Sequence, residues 1–466
     1  MVSLSESSTV LNVACMFAVF PVGWVLRRVP NVIARQVLCA AVGATFCMLI
    51  FGLQSLHIFG SILITYIICA VVPRKHVGMV VLVLAYTHIS ACQIYRMITD
   101  YLGWSVDFTG PQMILVLKLT AFAWNYSDGG RLTKINTENR VGKRQAEYAV
   151  EKLPSFLMFS SYCLYFGSIL TGPFFEYEDF RRFLFQENQG GPVPGKRVSS
   201  LVLKSFLFVG LFLLEGRFSM FSIVSTSEGY ESFLSQPLIE RIALTVVASV
   251  CFRGKYYFAW TFAEAGCLFS GFGYNGKDKD GVEKWDLLKN IDPFRIEVND
   301  NLQEITTQRW NISVSKYLRH YSYERLRDSR KFGKLAKGLT FALSALWHGF
   351  YAGYFIFFLQ YYFIESIHSN FRRAVTRLNP KVGYVLTSML TFMTMSYAGI
   401  SFILLDPVYG WYIYSALYFY GHIVYVGIFL VTLLINRISP PPSLRSGGLG
   451  SSSSIEDTAL ETKKQQ

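Results

Sequence analysis

The chain has 466 residues, of which 52% are hydrophobic, 16% aromatic and only 16% charged. An average soluble domain carries about 25% charged residues, so this composition excludes an ordinary soluble protein. The formal charge of +13 would suggest nucleic-acid binding in a soluble protein, but here the Lys and Arg residues stand in short loops between apolar runs. This placement favours the positive-inside rule of membrane proteins, and no nucleic-acid partner is expected.

Apolar runs long enough to cross a bilayer, about 20 residues each, recur along most of the chain. They predict an all-α polytopic membrane protein of about eleven transmembrane helices, with one membrane-embedded domain over 1–435. The first run is followed by Arg27 and Arg28, the reverse of the charge order of a cleavable signal, so we expect it to be retained. Two of the runs, 201–214 and 238–252, are short enough to be partial or tilted. The runs lie near 9–26, 36–54, 57–73, 77–95, 111–126, 155–175, 201–214, 238–252, 255–272, 339–364, 383–406 and 409–435.

The basic breaks alternate with nearly neutral links through the first five runs. This alternation predicts that one side of the membrane, the basic one, is cytosolic. The basic breaks carry Arg27, Arg28 and Arg35, then Arg74 and Lys75, then Arg131 through Lys152.

A polar stretch of about 65 residues, 273–337, interrupts the apolar pattern. From Ile312 onward, Val314, Tyr317, Leu318 and Tyr321 have the spacing of one helix face. We predict an amphipathic helix lying in the membrane interface, with its apolar face among acyl chains. Between residues 305 and 337 there are nine Lys or Arg and two acids. This excess indicates an anionic partner, either lipid headgroups or the phosphates of a nucleotide-like molecule.

The tail over 436–466 is rich in Pro, Ser and Gly and is predicted to be disordered and cytosolic. It ends on Lys463, Lys464 and two glutamines, which resembles a dilysine signal for retrieval to the endoplasmic reticulum, although two such lysines can also arise by chance. The eight cysteines are scattered singly, so they indicate neither a disulfide framework nor a zinc site.

Three histidines lie inside apolar runs, where an imidazole is costly unless it pairs or reacts. His88 and His422 have no unusual polar neighbours and are interpreted as core residues with satisfied hydrogen bonds. His348 is different, because small residues and aromatics surround it in the segment SALWHGFYAGY over 344–354 and would let a ligand approach the backbone. It is the first candidate for a functional side chain.

Asn311 stands in the segment QRWNIS over 308–313, just before the amphipathic helix. Its amide can donate and accept a hydrogen bond but cannot by itself move a proton. Taken alone it is equally a helix cap, and Asn311-Ile312-Ser313 is also a glycosylation sequon. The sequon interpretation fails if this basic stretch is cytosolic.

These segments resemble the membrane-bound O-acyltransferases. The resemblance rests on Trp310-Asn311 and, 37 residues after Asn311, on Trp347-His348-Gly349. Three further segments resemble the lysophospholipid acyltransferase branch and extend the likeness over about residues 115–365: WNYSDG at 124–129, YCLYFGSILTGPFFEYEDF at 162–180 and KYYFAWTFAEAGCLFSGFGYNG at 255–276. One departure is Ile312, where related enzymes often have proline.

The resemblance implies a helical bundle with a catalytic tunnel, which acyl-coenzyme A enters from the cytosol and the lipid from the membrane. It implies transfer of an acyl group to the free hydroxyl of a lysophospholipid, lysophosphatidylcholine being the first candidate, with acyl-coenzyme A as co-substrate and no metal or other cofactor. His348 is expected to act as general base, because the ordinary imidazole pKa of about 6.5 suits proton abstraction near neutral pH. Asn311 is expected to orient the reacting groups or to stabilise the oxyanion. Substrate contacts are implied for Trp310, Trp347, Tyr257, Glu264, Asn125 and Asp128.

Two other functions fit parts of the pattern. A transporter also combines many spans with a few intramembrane polar residues, but it should show internal repeats, and none is visible in the sequence. An acyltransferase acting on diacylglycerol, a sterol or a protein serine would share the Asn and His motifs, and the branch-specific segments argue against it.

Overall fold

The computed structural model describes residues 4–103, 105–187, 190–328 and 331–439. Within these ranges the chain is helical, and the only strand-like pairing is an isolated bridge between Lys277 and Glu283. The first helices are α1 (Leu4–Leu26), α2 (Val32–Phe51), α3 (Ser55–Val71), α4 (Arg74–Thr99) and α5 (Thr109–Gly129). They are followed by α6 (Arg140–Tyr148), α7 (Phe156–Cys163), α8 (Tyr177–Leu184), α9 (Gly195–Glu215), α10 (Met220–Val224), α11 (Ser227–Ser235) and α12 (Leu238–Phe269). The last are α13 (Pro293–Glu297), α14 (Leu302–Glu304), α15 (Ile312–Tyr317), α16 (Glu324–Arg327), α17 (Ala336–His348), α18 (Ala352–Leu378), α19 (Pro380–Leu404), α20 (Pro407–Ala416) and α21 (Tyr420–Ile438).

Six helical stretches of the described chain are long and apolar enough to cross a membrane. The polytopic, all-helical prediction is therefore confirmed, while the count of about eleven spans stays a prediction. The six stretches are Ser8–Leu26, Val32–Val71, Arg74–Thr99, Gly195–Val224, Pro380–Leu404 and Tyr420–Ile438. The predicted disordered tail lies, after Ser439, outside the described residues, and so does its dilysine end.

Three of the predicted runs differ from the structure because of interactions with distant residues. The runs 238–252 and 255–272 form the single helix α12, since the buried guanidinium of Arg253 in its middle is paired with Glu297 at 2.8 Å. The run 155–175 is helical only to Cys163, and the buried chain that follows is irregular. The buried Lys118 ammonium donates to the Tyr162 carbonyl at the end of α7 at 3.1 Å and to the Ser168 hydroxyl of the irregular segment at 2.8 Å. These bonds fix the chain where the helix ends.

Two other runs are each broken into two helices. Gly349, at φ 131°, ends α17 within the run 339–364, a backbone conformation that favours glycine. Tyr418 and Phe419, at φ 50° and 51°, separate α20 from α21 within the run 409–435. The first of these breaks places His348 at a helix terminus.

The helix predicted from Ile312 exists as α15 and α16, joined by a π-helical turn over Leu318–Tyr323. The prediction that its apolar face lies among acyl chains in the membrane interface is wrong. Val314, Tyr317 and Tyr321 are buried in one cluster with residues of α4 and α5. Burial against protein removes that surface from water as effectively as lipid would, and a single sequence does not distinguish the two.

Close contacts between helices position the residues around the site. Helices α9 and α12 pack so tightly at Gly254 that an added Cβ would lie 2.9 Å from the Phe212 nitrogen. Small residues allow such approach where helices pack in a membrane. The contact brings Phe208 of α9 against Tyr257 of α12, with ring centroids 5.3 Å apart.

Candidate active site

His348 is the last residue of α17, and its ring lies in an aromatic pocket. The ring centroids of Trp347, Tyr354, Phe358 and Phe402 are 4.7, 5.5, 5.4 and 5.1 Å from its own. The side chain is half-buried, and among the described residues no hydrogen bond is formed by its ring nitrogens. The pocket therefore leaves a nitrogen lone pair available, which is what a base requires.

Trp347 fixes the position of His348. The Trp347 indole donates to the Met113 carbonyl of α5 at 2.9 Å, and the Gln93 amide of α4 donates to the Trp347 carbonyl at 3.0 Å. The Trp347 side chain is buried in the cluster that contains Tyr317 and Tyr321. These bonds fix the end of α17 to two neighbouring helices. The predicted contact of Trp347 with substrate stays a prediction.

Asn311 has a left-handed backbone, at φ 41° and ψ 54°, a conformation that asparagine tolerates better than most residues. It precedes the first residue of α15, but its side chain makes no capping hydrogen bond. Its amide is half-buried and forms no hydrogen bond with any described residue. The cap interpretation is therefore wrong, and the amide is free to bind a ligand.

Asn290 holds this segment and was not predicted from the sequence. It binds the two residues that follow Asn311. Its backbone oxygen accepts from the Ile312 nitrogen at 2.8 Å, and its Oδ1 accepts from the Ser313 nitrogen at 3.0 Å and hydroxyl at 2.7 Å. Asn290 is 1% exposed. No local pattern marks it, because its partners are more than 20 residues away.

Trp310 lies in a second aromatic group, with ring centroids 5.6 Å from Tyr256, 6.0 Å from Tyr257 and 5.4 Å from Trp260. The Tyr257 hydroxyl donates to Glu297, the partner of Arg253. The structure therefore brings the predicted residues Trp310 and Tyr257 together beside Asn311.

One helix connects the two aromatic groups. Met395 of α19 packs against the cluster that contains Trp310, and Phe402 of the same helix contacts His348. Seven residues span two helical turns, about 10 Å along the axis. No hydrogen bond joins Asn311 to His348 among the described residues, so a substrate would have to lie between them to use both.

A cavity of about 340 Å³ lies next to the Trp310 group, separated from Tyr257 by Phe208. Glu264 lines it and is paired with Arg197 at 3.4 Å. Lys204 and Lys289 also line it, and Lys204 forms no ion pair with any described residue. The predicted residue Glu264 thus belongs to a basic vestibule, not to the pocket of His348.

This vestibule lies at the basic end of the bundle. The Arg27 guanidinium lies 4.7 Å from the ring centroid of Phe269, which ends α12 five residues after Glu264. From Phe269 to Tyr257 is twelve residues, about 18 Å of helix. The vestibule and the Trp310 group therefore lie at successive levels along α12, with Phe208 between them.

The predicted residues Asn125 and Asp128 are in a different place. The Asn125 amide donates to Glu176 at 3.0 Å and accepts from the Tyr321 hydroxyl at 2.9 Å, and Asp128 pairs with Arg325 at 2.5 Å. Asn125, Asp128 and Glu176 are all buried. These bonds tie α5 to the helices after Asn311, and no contact with His348 or Asn311 is present, so the substrate contacts implied for both residues stay predictions.

The two other intramembrane histidines have partners, as expected. The Tyr397 hydroxyl lies 2.7 Å from Nδ1 of His422 and the Gln360 amide 3.4 Å from its Nε2. His88 lies within hydrogen-bond reach of His57 and Ser61. Of the three, His348 alone lacks a partner among the described residues.

A family profile described as MBOAT, membrane-bound O-acyltransferase family, matches residues 92–405, a range that contains Asn311, His348 and the helices around them. The chain belongs to this family. Among its curated relatives is "Lysophospholipid acyltransferase 6" of Drosophila melanogaster, 31% identical over 86% of this chain and 56% of the relative. "Lysophospholipid acyltransferase" of Schizosaccharomyces pombe is 29% identical over 88% of this chain and 83% of the relative. "Membrane-bound glycerophospholipid O-acyltransferase 2" of Mus musculus is 30% identical over 85% of this chain and 78% of the relative.

Membership of the membrane-bound O-acyltransferases confirms the family resemblance, and the names of these relatives support its lysophospholipid branch. The family membership also accounts for the intramembrane polar residues, so a transporter function is not needed to explain them.

Proposed function

We propose that this chain transfers a fatty acyl group from acyl-coenzyme A to the free hydroxyl of a lysophospholipid. The observation that carries the proposal is His348, a half-buried imidazole in an aromatic pocket with no hydrogen-bond partner among the described residues. The family membership supplies the reaction class, and the names of the relatives supply the acceptor class.

A lipid hydroxyl attacks a thioester poorly unless its proton is removed during the attack. A ring nitrogen of His348 takes that proton as the hydroxyl oxygen bonds to the thioester carbonyl carbon. The tetrahedral intermediate then collapses, the carbon–sulfur bond breaks, and the imidazolium returns its proton to the coenzyme A thiolate. The products are a diacylated phospholipid and free coenzyme A, and each step uses only the two substrates and the protein's side chains.

Asn311 serves as the polar group opposite the base. Its free amide donates to the carbonyl oxygen as negative charge develops there, or holds the hydroxyl in line. The Asn290 bonds to Ile312 and Ser313 fix the backbone that carries this amide before the substrate arrives, so less ordering is left for the transition state.

In the vestibule, Arg197 is paired with Glu264 and Lys289 with Asp292, so Lys204 is the cation that the vestibule offers to the phosphates of acyl-coenzyme A. The position of the vestibule near the end of α12 would let the acyl thioester extend past Phe208 and the Trp310 group toward Asn311. In the basic stretch around 309–337, Arg309 is likewise paired with Glu304, and Arg325 with Asp128. The excess of cations there is partly a set of ion pairs that hold the helices together.

An assay on microsomes with one labelled acyl-coenzyme A and a panel of acceptors tests the proposal. The panel contains lysophospholipids of several headgroups, diacylglycerol and a sterol. We expect label in phospholipid and none in triacylglycerol or sterol ester. Incorporation into a neutral lipid alone would overturn the acceptor class and favour the alternative membrane-bound O-acyltransferase activity on another hydroxyl.

We further propose that the enzyme resides in the endoplasmic reticulum with its tail in the cytosol, as the dilysine end suggests. A tag inserted before Lys463 should be removed by protease added to sealed microsomes. Full protection of the tag would contradict both the orientation and the retrieval signal.

A further inference from the structure

Two histidines and a cysteine meet at the end of the bundle opposite Arg27. Short turns at residues 52–54 and 72–73 make α2, α3 and α4 antiparallel, so the first turn of α3 lies beside the second half of α4. There His57 Nδ1 is 3.1 Å from His88 Nε2, and Cys92 Sγ is 3.6 Å from the same nitrogen. All three donor atoms lie within 4.8 Å of one another. The proposed reaction uses none of these groups.

These separations are those of ligands around one tetrahedral zinc ion. With Zn–N of about 2.05 Å and Zn–S of about 2.3 Å, two nitrogens lie about 3.3 Å apart and a nitrogen and a sulfur about 3.6 Å apart. The observed values are 3.1 and 3.6 Å. The spacing of four residues between His88 and Cys92 keeps both on one face of α4, so closing the third side requires only side-chain rotation.

Polar groups surround the ring nitrogen of His88 that faces away from His57 and Cys92. The Ser61 hydroxyl donates to the His57 carbonyl at 2.7 Å and accepts from the Gln112 amide at 2.9 Å. His88 Nδ1 lies 3.3 Å from this hydroxyl and 3.4 Å from the Gln112 amide nitrogen, and it can donate to the hydroxyl when it carries the ring proton. A proton on Nδ1 leaves the Nε2 lone pair directed at His57 and Cys92, the outer-shell arrangement found around zinc-bound histidines.

Without a metal, two neighbouring groups compete for the single lone pair of His88 Nε2. His57 Nδ1 and Cys92 Sγ lie 3.1 and 3.6 Å from His88 Nε2, which can form only one good hydrogen bond. A cation removes the conflict, since it takes one lone pair from each of the three atoms and the Cys92 thiol releases its proton to solvent. Phe108 stacks on the His57 ring at 4.5 Å and fixes its plane.

We propose that His57, His88 and Cys92 form a zinc site that clamps α3 to α4. His57 is exposed and Cys92 half-buried, so the ion has access from solvent and a water can supply the fourth ligand. Cys92 precedes Gln93, whose amide donates to the carbonyl of Trp347. The clamp therefore stiffens the helix that holds the residue next to His348, a structural role that is independent of the acyl acceptor.

The test uses the purified full chain in detergent, freed of its affinity tag and of metal by chelation. Titration with Co²⁺ should produce a thiolate-to-cobalt charge-transfer band that saturates at one ion per chain, and Zn²⁺ should abolish it. Zn²⁺ should also raise the unfolding temperature. A wild-type chain without the band, or with unfolding unaffected by Zn²⁺, would overturn the proposal whether or not any variant folds.

Variants then assign the ligands. His57→Ala, His88→Ala and Cys92→Ala should each weaken Zn²⁺ binding at least a hundredfold, and Cys92→Ala should remove the cobalt band. The matched controls are His76→Ala, an exposed histidine at the start of α4, and Cys69→Ala, a buried cysteine of α3, which should both bind like the wild type. Binding that survives Cys92→Ala unchanged would contradict the site.

Discussion

Replacing Asn290 by Ala should slow acyl transfer through a residue that touches no substrate. Its Oδ1 accepts two hydrogen bonds from Ser313, two residues after Asn311. In Asn290→Ala the buried Ser313 N–H has no acceptor, which costs about 1–3 kcal/mol. A free-energy difference of about 1.4 kcal/mol changes a rate tenfold. If the turn that presents Asn311 becomes about 2 kcal/mol less favourable, kcat falls roughly thirtyfold. The KM for acyl-coenzyme A should change little, because the vestibule is intact.

The assay is acyl transfer by purified protein at saturating and limiting donor, with an unfolding temperature for each variant. Asn290→Asp keeps an acceptor oxygen and should recover most of the lost turnover. Asn275→Ala is the matched control, an exposed asparagine of the same stretch whose side chain, among the described residues, bonds only Asp286, at 2.8 Å. Wild-type turnover in Asn290→Ala, or an equal loss in Asn290→Asp, would refute the positioning role.

Three further predictions address the amide, the vestibule and pH. Asn311→Ala should lower kcat on the order of a hundredfold, the loss typical of one oxyanion donor, while the protein accumulates normally; a change within twofold would refute its role. Lys204→Glu should raise the KM for acyl-coenzyme A about tenfold at low salt and less at high salt, and Lys196→Glu, outside the vestibule on the same helix, should not. Burial, and then the nearby Glu176, raise the pKa of Asp179 to about 7. Because the folded chain keeps a proton that the unfolded chain loses, stability should fall as pH rises from about 4 to 7, and Asp179→Asn should flatten this fall in thermal unfolding measured across that range.

The sequence predicted the parts of the site that depend on local pattern. Trp310-Asn311 and Trp347-His348 are short motifs, and the small residues around His348 marked it as a candidate, although the helix break at Gly349 within the run 339–364 was not predicted. The structure places both motifs at such interruptions, with the left-handed Asn311 and with Gly349 at positive φ. Six long apolar helical stretches likewise follow from hydropathy alone.

The remainder depends on partners far apart in the chain. Arg253 lies within α12 because Glu297 pairs with it from 44 residues away, and hydropathy counts that arginine as a break between two spans. The apolar face from Val314 to Tyr321 has the same pattern whether lipid or protein covers it. Cys92 was not recognised as a candidate metal ligand, because His57, its neighbour in space, is 35 positions earlier on another helix.

His348→Ala, measured as acyl transfer per mole of purified protein, tests the central claim most directly. His422→Ala is its control, since His422 is also an intramembrane histidine but is hydrogen-bonded to Tyr397. We expect His348→Ala to fall to the background of the preparation while acyl-coenzyme A binding survives, because a base contributes mainly to the transition state. His422→Ala should keep most of its activity. Wild-type turnover in His348→Ala would contradict the mechanism.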